Sequence, residues 1–419
     1  MNSISPVILK RSRRLYIIEA ALEHLISVLV TGSFLATLTK ELGFSDSLTG
    51  IMSSVISLGC LFQLLSLSVR QKHKKSFVLT LSVLNQLLFF LLYVVPLTGF
   101  KERTKITLFF VLIFFAYFLY NFAHPKKISW LMSLVDDRQR GRFTANKEAV
   151  SLLSGMVFSF CMGCVIDHLA AGGKMRIAFA VAGSVIFVLM LLHSLTMILT
   201  AEISSEELSA KSLTGILPEL TGNKKLLRVA VIFVLYHIST YISVPFYGTY
   251  QINELGLDLK FITSAAIGGS VARIFASGFW GRYADKRSFA AMIEKCFIFL
   301  GLSQLCVTVA VPSNGMVMFV LYSIINGIAQ GGINSALTNL VFDHVPVEKR
   351  ADSLAVTQAL AGLAGFIATV CISPVVSYIQ NNSNRILGLQ IYAQQFVAVL
   401  AFVFTLSALF YTRFSFIRK

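Results

Sequence analysis

Thr107-Leu-Phe-Phe-Val-Leu-Ile-Phe-Phe-Ala-Tyr-Phe-Leu-Tyr120 is a run of fourteen residues without a charge. The chain's 35 phenylalanines recur in long runs of this kind rather than in short alternating patches. A membrane β-barrel would show segments of about ten residues alternating in polarity, and none recurs, so the apolar runs are helices. Apolar residues fill 56% of the 419 positions and charged residues only 13%, with a mean hydropathy of +0.75. A soluble domain carries roughly 25% charge. So few charges cannot cover a folded surface in water, and lipid must solvate it.

Outward from that run, a window of about 19 residues gives twelve spans, near 15–39, 47–69, 76–98, 105–124, 147–170, 175–199, 227–250, 260–281, 288–311, 315–338, 353–379 and 391–412. With both termini in the cytoplasm, the cytoplasmic segments hold 26 of the 36 Lys and Arg and the opposite loops eight, with Arg273 and Lys295 left inside spans. Cytoplasmic loops carry such an excess, so the net charge of +16 reads as a topology signal, with attraction to anionic lipid headgroups as its consequence. No nucleic-acid partner is implied. Met1–Arg14 is basic, but the apolar stretch after it holds Glu19, Glu23 and His24 and no small-residue cleavage site. It reads as a retained first helix. All six cysteines lie in apolar runs and read as free thiols.

The longest polar interval, Ala201–Lys225, contains Pro218 and divides the chain. The expected parts are a six-helix bundle over 1–200, a cytoplasmic loop over 201–226 and a second bundle over 227–419. A shift of 212 positions lays Arg70-Gln-Lys-His-Lys-Lys-Ser-Phe77 on Arg282-Tyr-Ala-Asp-Lys-Arg-Ser-Phe289. A shift of 210 lays Val135-Asp-Asp-Arg-Gln-Arg140 on Val345-Pro-Val-Glu-Lys-Arg350 and Gly155 on Gly365. Two loops recurring at nearly one offset read as an internal repeat. Parallel six-helix repeats are a recurring transporter plan.

Gly281-Arg-Tyr-Ala-Asp-Lys-Arg-Ser288 resembles the loop motif G-x-x-a-D-[RK]-x-[GS] of the major facilitator superfamily, placed after the eighth helix as in that family. The first-half copy departs from it, with Val69 for the Gly and His73 for the Asp. The resemblance implies an all-α polytopic membrane protein of twelve transmembrane helices in two pseudo-symmetric bundles. It also implies that Gly281 turns the chain sharply and that Asp285, Lys286 and Arg287 form a gate. Asp285 would cap the next helix and meet Arg140 or Arg142, with Arg350 as the second-half counterpart. Helices one, four, seven and ten line the cavity in that family.

Polar groups inside spans point to function by default, because a charge in hydrocarbon needs a cavity or a partner. Glu19 and Glu23 are four apart on one helical face, with His24 beside them, and Glu23 lies about 12 Å inside the first span at 1.5 Å per residue. A carboxylate at that depth suits binding and release of a proton; pairing with a Lys or Arg is the competing reading, and solvation at the interface is an equal alternative for Glu19. Arg273, deep in the eighth helix, would neutralise Glu23 or hold an anionic solute by its fork geometry. The fourth helix offers Tyr120 and Asn121. The seventh offers Tyr236, His237 and Tyr241, and the tenth Tyr322, Asn326, Gln330 and Asn334; Gln358 in the eleventh joins the set. Amides and tyrosines suit polar solutes through hydrogen bonds and stacking, while interhelical glue at about 0.6 kcal/mol per bond is the bland alternative.

The sequence shows no H-E-x-x-H, phosphate-binding Gly loop or Walker-type Lys, so an enzyme is not the reading, and neither a metal nor a cofactor is expected. The expectation is a secondary active transporter of the cell membrane, working as a monomer. It would move a small organic solute by alternating access, coupled to protons, with sugar-like or other polar solutes favoured. A drug–proton antiporter and a lysophospholipid flippase on the same fold are the alternatives.

Overall fold

The computed structural model describes residues 5–67, 74–135, 140–202, 222–346, 350–386 and 388–417. Among these, ten helices are long and apolar enough to cross a membrane, and the pair Pro6–Leu29 and Gly32–Glu41, bent by 41°, makes an eleventh. The segment read as a second span differs. It runs as helix Asp46–Ser54, a 3-10 stretch Val55–Leu58 and helix Gly59–Leu67 in direct succession, so among the described residues no single helix in it is of spanning length. The fourth span differs as well. Helix Glu102–Met132 continues through Pro125, well past residue 124, because a proline removes only one N–H from a helix whose neighbours can satisfy the freed carbonyl.

Packing groups the chain into two units, 1–43 with 62–211, and 44–61 with 212–419. In the first, Pro6–Leu29 packs on Arg140–Ala171 and Met175–Leu199, and Lys74–Val94 packs on Glu102–Met132 and Met175–Leu199. Tyr16, Val78, Trp130, Leu131 and Met197 form a buried cluster there, pinned by Trp130 Nε1 donating to Ala201 O at 3.0 Å. In the second unit, Gly315–Phe342 packs on both Leu259–Lys286 and Phe289–Thr308, and Arg350–Asn381 packs on Lys224–Tyr241 and on Asp46–Ser54. Large apolar side chains face outward on both units, Val157 at 66% exposure and Phe275 at 78%, as lipid solvation requires.

Helix ends follow local chemistry. Ser45 Oγ accepts from Leu48 N, Asn223 Oδ1 from Lys225 N and Leu226 N, and Ser288 Oγ from Ala291 N at 3.1 Å. The last corrects the expected gate loop. Helix Leu259–Lys286 passes straight through Gly281, which therefore makes no sharp turn. The cap of the next helix is Ser288 rather than Asp285, since the short hydroxyl sits at the N-cap with extended backbone.

Helices 259–286 and 315–342 touch through glycine. A Cβ on Gly327 would collide with Gly269 O, and one on Gly269 would meet Ser323 O at 2.5 Å. Backbones approach this closely only where both sides are small. Gly327→Ala is expected to push the pair apart at a cost of about 1–3 kcal/mol, read as a fall in the thermal unfolding midpoint of purified protein; an unchanged midpoint would refute the close contact.

Candidate functional site

In the first unit a chain of polar groups crosses the buried interior. Gln86 Nε2 lies 3.0 Å from His193 Nδ1, and His193 Nε2 lies 2.9 Å from Glu19 Oε1. The same Glu19 oxygen pairs with Lys127 Nζ, and Lys127 Nζ donates to Glu23 Oε1 at 2.6 Å. Gln86, His193, Glu19 and Lys127 are all at or below 5% exposure, whereas the Glu23 side chain retains 21%. With the Gln86 amide nitrogen toward the ring, His193 accepts at Nδ1 and donates from Nε2 to Glu19. Two carboxylates contact the one ammonium.

Two atoms in it are unspent. Glu19 Oε2 and Gln86 Oε1 are buried without a hydrogen-bond partner. Glu19, Glu23 and His193 also offer ligand atoms within 4.8 Å of one another. The Lys127 ammonium already contacts both carboxylates, so the cluster is an ion-paired one, with the lysine filling the place a cation would take.

Three expectations change here. Glu19 is not solvated at an interface: it has 1% exposure and two partners. Lys127, counted from sequence among the cytoplasmic charges, points inward, because helix 102–132 continues past Pro125 and carries it round to the face of Glu19 and Glu23. His24 stands outside the hydrogen-bonded chain, its ring laid over Gly155, where a Cβ would come within 2.5 Å of it. Asn121 is buried, with Nδ2 donating to Tyr117 O at 2.9 Å and Oδ1 accepting from Gln63 Nε2 at 3.1 Å. Tyr120 lies beside His124, ring centroids 5.8 Å apart.

In the second unit, Arg273, Tyr322, Asn326 and Gln330 share the walls of two adjoining spaces of about 170 and 250 Å³. Tyr236 Oη donates to Gln330 Oε1 at 3.0 Å, and Tyr247 meets Tyr322 edge to face at 5.3 Å. Behind the smaller space, Gln304 Nε2 donates to Ser239 Oγ at 3.0 Å and Thr405 Oγ1 to Gln304 Oε1 at 2.8 Å. His237 and Tyr241 stack at 6.0 Å, His237 Nδ1 being 2.9 Å from Phe233 O. Asn334 is exposed and Gln358 half-buried, and neither lines these spaces.

One further cluster was invisible in the sequence. Asp46 accepts from Asn253 Nδ2 at 2.7 Å, Gln380 Nε2 at 2.8 Å and Gln394 Nε2 at 2.7 Å. Gln380 Nε2 also reaches Glu254 Oε1 at 3.2 Å, and Asn384 Nδ2 reaches Glu254 Oε2 at 3.2 Å. Ser47 and Ser373 hydroxyls meet at 2.5 Å nearby. The network ties Asp46–Ser54 to the helices that carry Gln380 and Gln394.

Of the expected gate residues, the side chains of Arg140 and Arg142 lie outside the described residues. Asp285, Lys286 and Arg287 are exposed at the end of helix 259–286. The Arg350 guanidinium lies 5.3 Å from the Phe342 ring centroid.

Known proteins agree with this architecture. No curated protein sequence matches the chain. Among solved structures, a mutant of the nucleoside transporter NupG superposes with a TM-score of 0.76 at 12% identity, over 97% of this chain and all of that one. A bacterial metal transporter gives 0.68 at 10%, over 98% and 99%. An inward-facing bacterial homologue of the lysosomal transporter Spinster gives 0.66 at 12%, over 99% and 98%. At such identities the likeness is one of fold. The family profile described as Major Facilitator Superfamily matches residues 21–369, and with its apolar spans and transporter fold this chain belongs to that superfamily of membrane transporters.

Proposed function

We propose that the protein is a proton-coupled secondary transporter of a small polar organic solute, with both termini in the cytoplasm. The observation that carries this reading is the chain Gln86–His193–Glu19–Lys127–Glu23. On this reading His193 is neutral at rest, so two carboxylates share one ammonium, and the surplus negative charge in the interior of a membrane unit favours uptake of one proton. Glu23, the exposed end, is where that proton arrives. It has two resting places inside, the unpartnered Glu19 Oε2 and His193 Nδ1. A turn of the Gln86 amide would bring the unpartnered Oε1 round to accept from a protonated Nδ1, so a proton on His193 needs no new neighbour.

The solute surface on this reading is the set Tyr322, Asn326 and Gln330, with Tyr236 holding Gln330 from behind. Tyrosine rings offer stacking faces and amides offer paired donors and acceptors, which suits polar solutes that carry a ring, sugar-like ones among them. Without a nucleotide-binding loop, the ion gradient supplies the energy.

The test uses liposomes that hold the purified protein and a trapped pH dye. Solute addition is expected to acidify the lumen. Glu23→Gln removes the surplus charge, and solute is then expected to enter with no lumenal acidification. Wild-type flux with no pH change, equal to that of Glu23→Gln, would sink the proton coupling.

A further inference from the structure

Arg273 stands at the middle of the 28-residue helix Leu259–Lys286 and is exposed rather than buried. A charge inside a membrane span faces a cavity or a partner. The described carboxylates of the second unit are committed elsewhere. Asp46 and Glu254 are held by amides, and Glu294 faces Lys295 and Arg413 at 4.0 and 3.8 Å. Asp258, Asp285 and Asp343 stand at helix ends. Among the described residues no carboxylate pairs with Arg273.

What Arg273 does have is space and neutral donors. It borders both the 170 Å³ and the 250 Å³ cavity. Gln330 spends its oxygen on Tyr236, which leaves its Nε2 as a donor, and Asn326 lines both spaces beside it. The wall is therefore rich in donors and holds one full positive charge, the complement of an oxyanion.

We infer that the transported solute carries a carboxylate, that Arg273 receives it with both arms of its guanidinium, and that Asn326 and Gln330 hold the polar body next to it. This inference rests on the proton-coupled reading for its energetics, though not for its binding step. A carboxylate is favoured over a phosphate dianion because one guanidinium balances one charge, and a surplus charge at this depth would be uncompensated. Planar bidentate pairing also matches the fork. Each space is smaller than the roughly 300–1,000 Å³ of sites for drug-sized ligands, and the two together reach only the lower part of that range, which points to a compact organic acid.

The charges then close. Empty, the protein carries one surplus negative charge on the Glu19–Lys127–Glu23 chain and one positive charge at Arg273. One proton and one monocarboxylate cancel both, so the loaded carrier is neutral at each site and the cycle moves no net charge.

The experiment compares binding and flux. Purified wild type, Arg273→Gln and Arg273→Lys are melted with a panel of small aliphatic, aromatic and sugar acids, each paired with its primary amide and its phosphate-ester analogue. At least one acid should raise the wild-type midpoint while its amide does not. Its affinity should fall more than tenfold in Arg273→Gln and by less in Arg273→Lys, which keeps the charge and loses the fork. In liposomes, uptake of that acid should follow an imposed pH gradient and ignore a potassium-diffusion potential. A panel in which no acid outdoes its amide overturns the inference, as does one in which the phosphate ester binds best or Arg273→Gln binds the acid as wild type does. Acid binding lost in Arg273→Gln, with no proton movement in wild type, would sink the coupling and leave the carboxylate site standing. Proton movement with a neutral solute, indifferent to Arg273→Gln, would do the reverse.

Discussion

Lys127→Met lowers the stability of the folded protein by about 3–5 kcal/mol, the usual cost of removing one partner from a buried ion pair. The cost arises because Glu19 and Glu23 are then left facing each other without the ammonium that both contact. Glu19 has 1% exposure, so water cannot replace the lysine. The thermal midpoint of the purified variant measures the loss. Adding Glu23→Gln to Lys127→Met returns the chain to a single carboxylate charge and is expected to recover a large part of it, whereas Glu23→Gln alone leaves the Glu19–Lys127 pair intact and should cost far less. If Lys127→Met melts with wild type, the lysine is a surface charge after all and the chain does not exist as described.

Asp46→Ala is the second large effect. Asp46 accepts three amide hydrogen bonds, and a buried donor left without its acceptor costs about 1–3 kcal/mol. Gln394 has no exposed surface and suffers most; Gln380 retains Glu254 as a partner and suffers least. Beyond a lower midpoint, the effect is local. Amide hydrogen exchange in Phe44–Leu61 should speed up, since this network and the contact of Gly362 with Ser57 O hold the segment in place. Unaltered exchange there would show that apolar packing alone secures it.

The sequence carried the spans because lipid asks for one crude property over about 20 residues, and runs such as Thr107–Tyr120 satisfy it unmistakably. It carried Glu19 and Glu23 as a pair because an i, i+4 spacing is local. The rest of their chain is not local: Gln86 and His193 are 107 residues apart and Glu19 and His193 are 174 apart. A lone histidine in an apolar span gives no sign of which distant groups it meets. Lys127 was misread because Pro125 and two lysines look like the end of a helix. The tenth-span stripe shows a subtler limit. Residues spaced by four advance about 40° per step around a helix of 3.6 residues per turn, so by Asn334 the stripe has turned roughly 120° from Tyr322. Tyr322, Asn326 and Gln330 accordingly share a cavity wall, and Asn334 does not. The Asp46 network was illegible for another reason, since it is made of ordinary loop and helix-end amides gathered from four separate stretches.

Phe44–Leu61 packs with the second unit although it is made early. Its partners Ser373, Gln380 and Gln394 follow about 300 residues later, which at roughly 5–20 residues per second is a wait on the order of 15–60 s during synthesis. Of the three amides that answer Asp46, that of Asn253 is made 207 residues after it, and those of Gln380 and Gln394 only 334 and 348 residues after it. The nascent first half is thus an incomplete object, and a chain that stops short of residue 253 has a carboxylate near the start of its second hydrophobic segment with none of its three amides. Completion of the polypeptide is in this way written into the packing of one of its earliest helices.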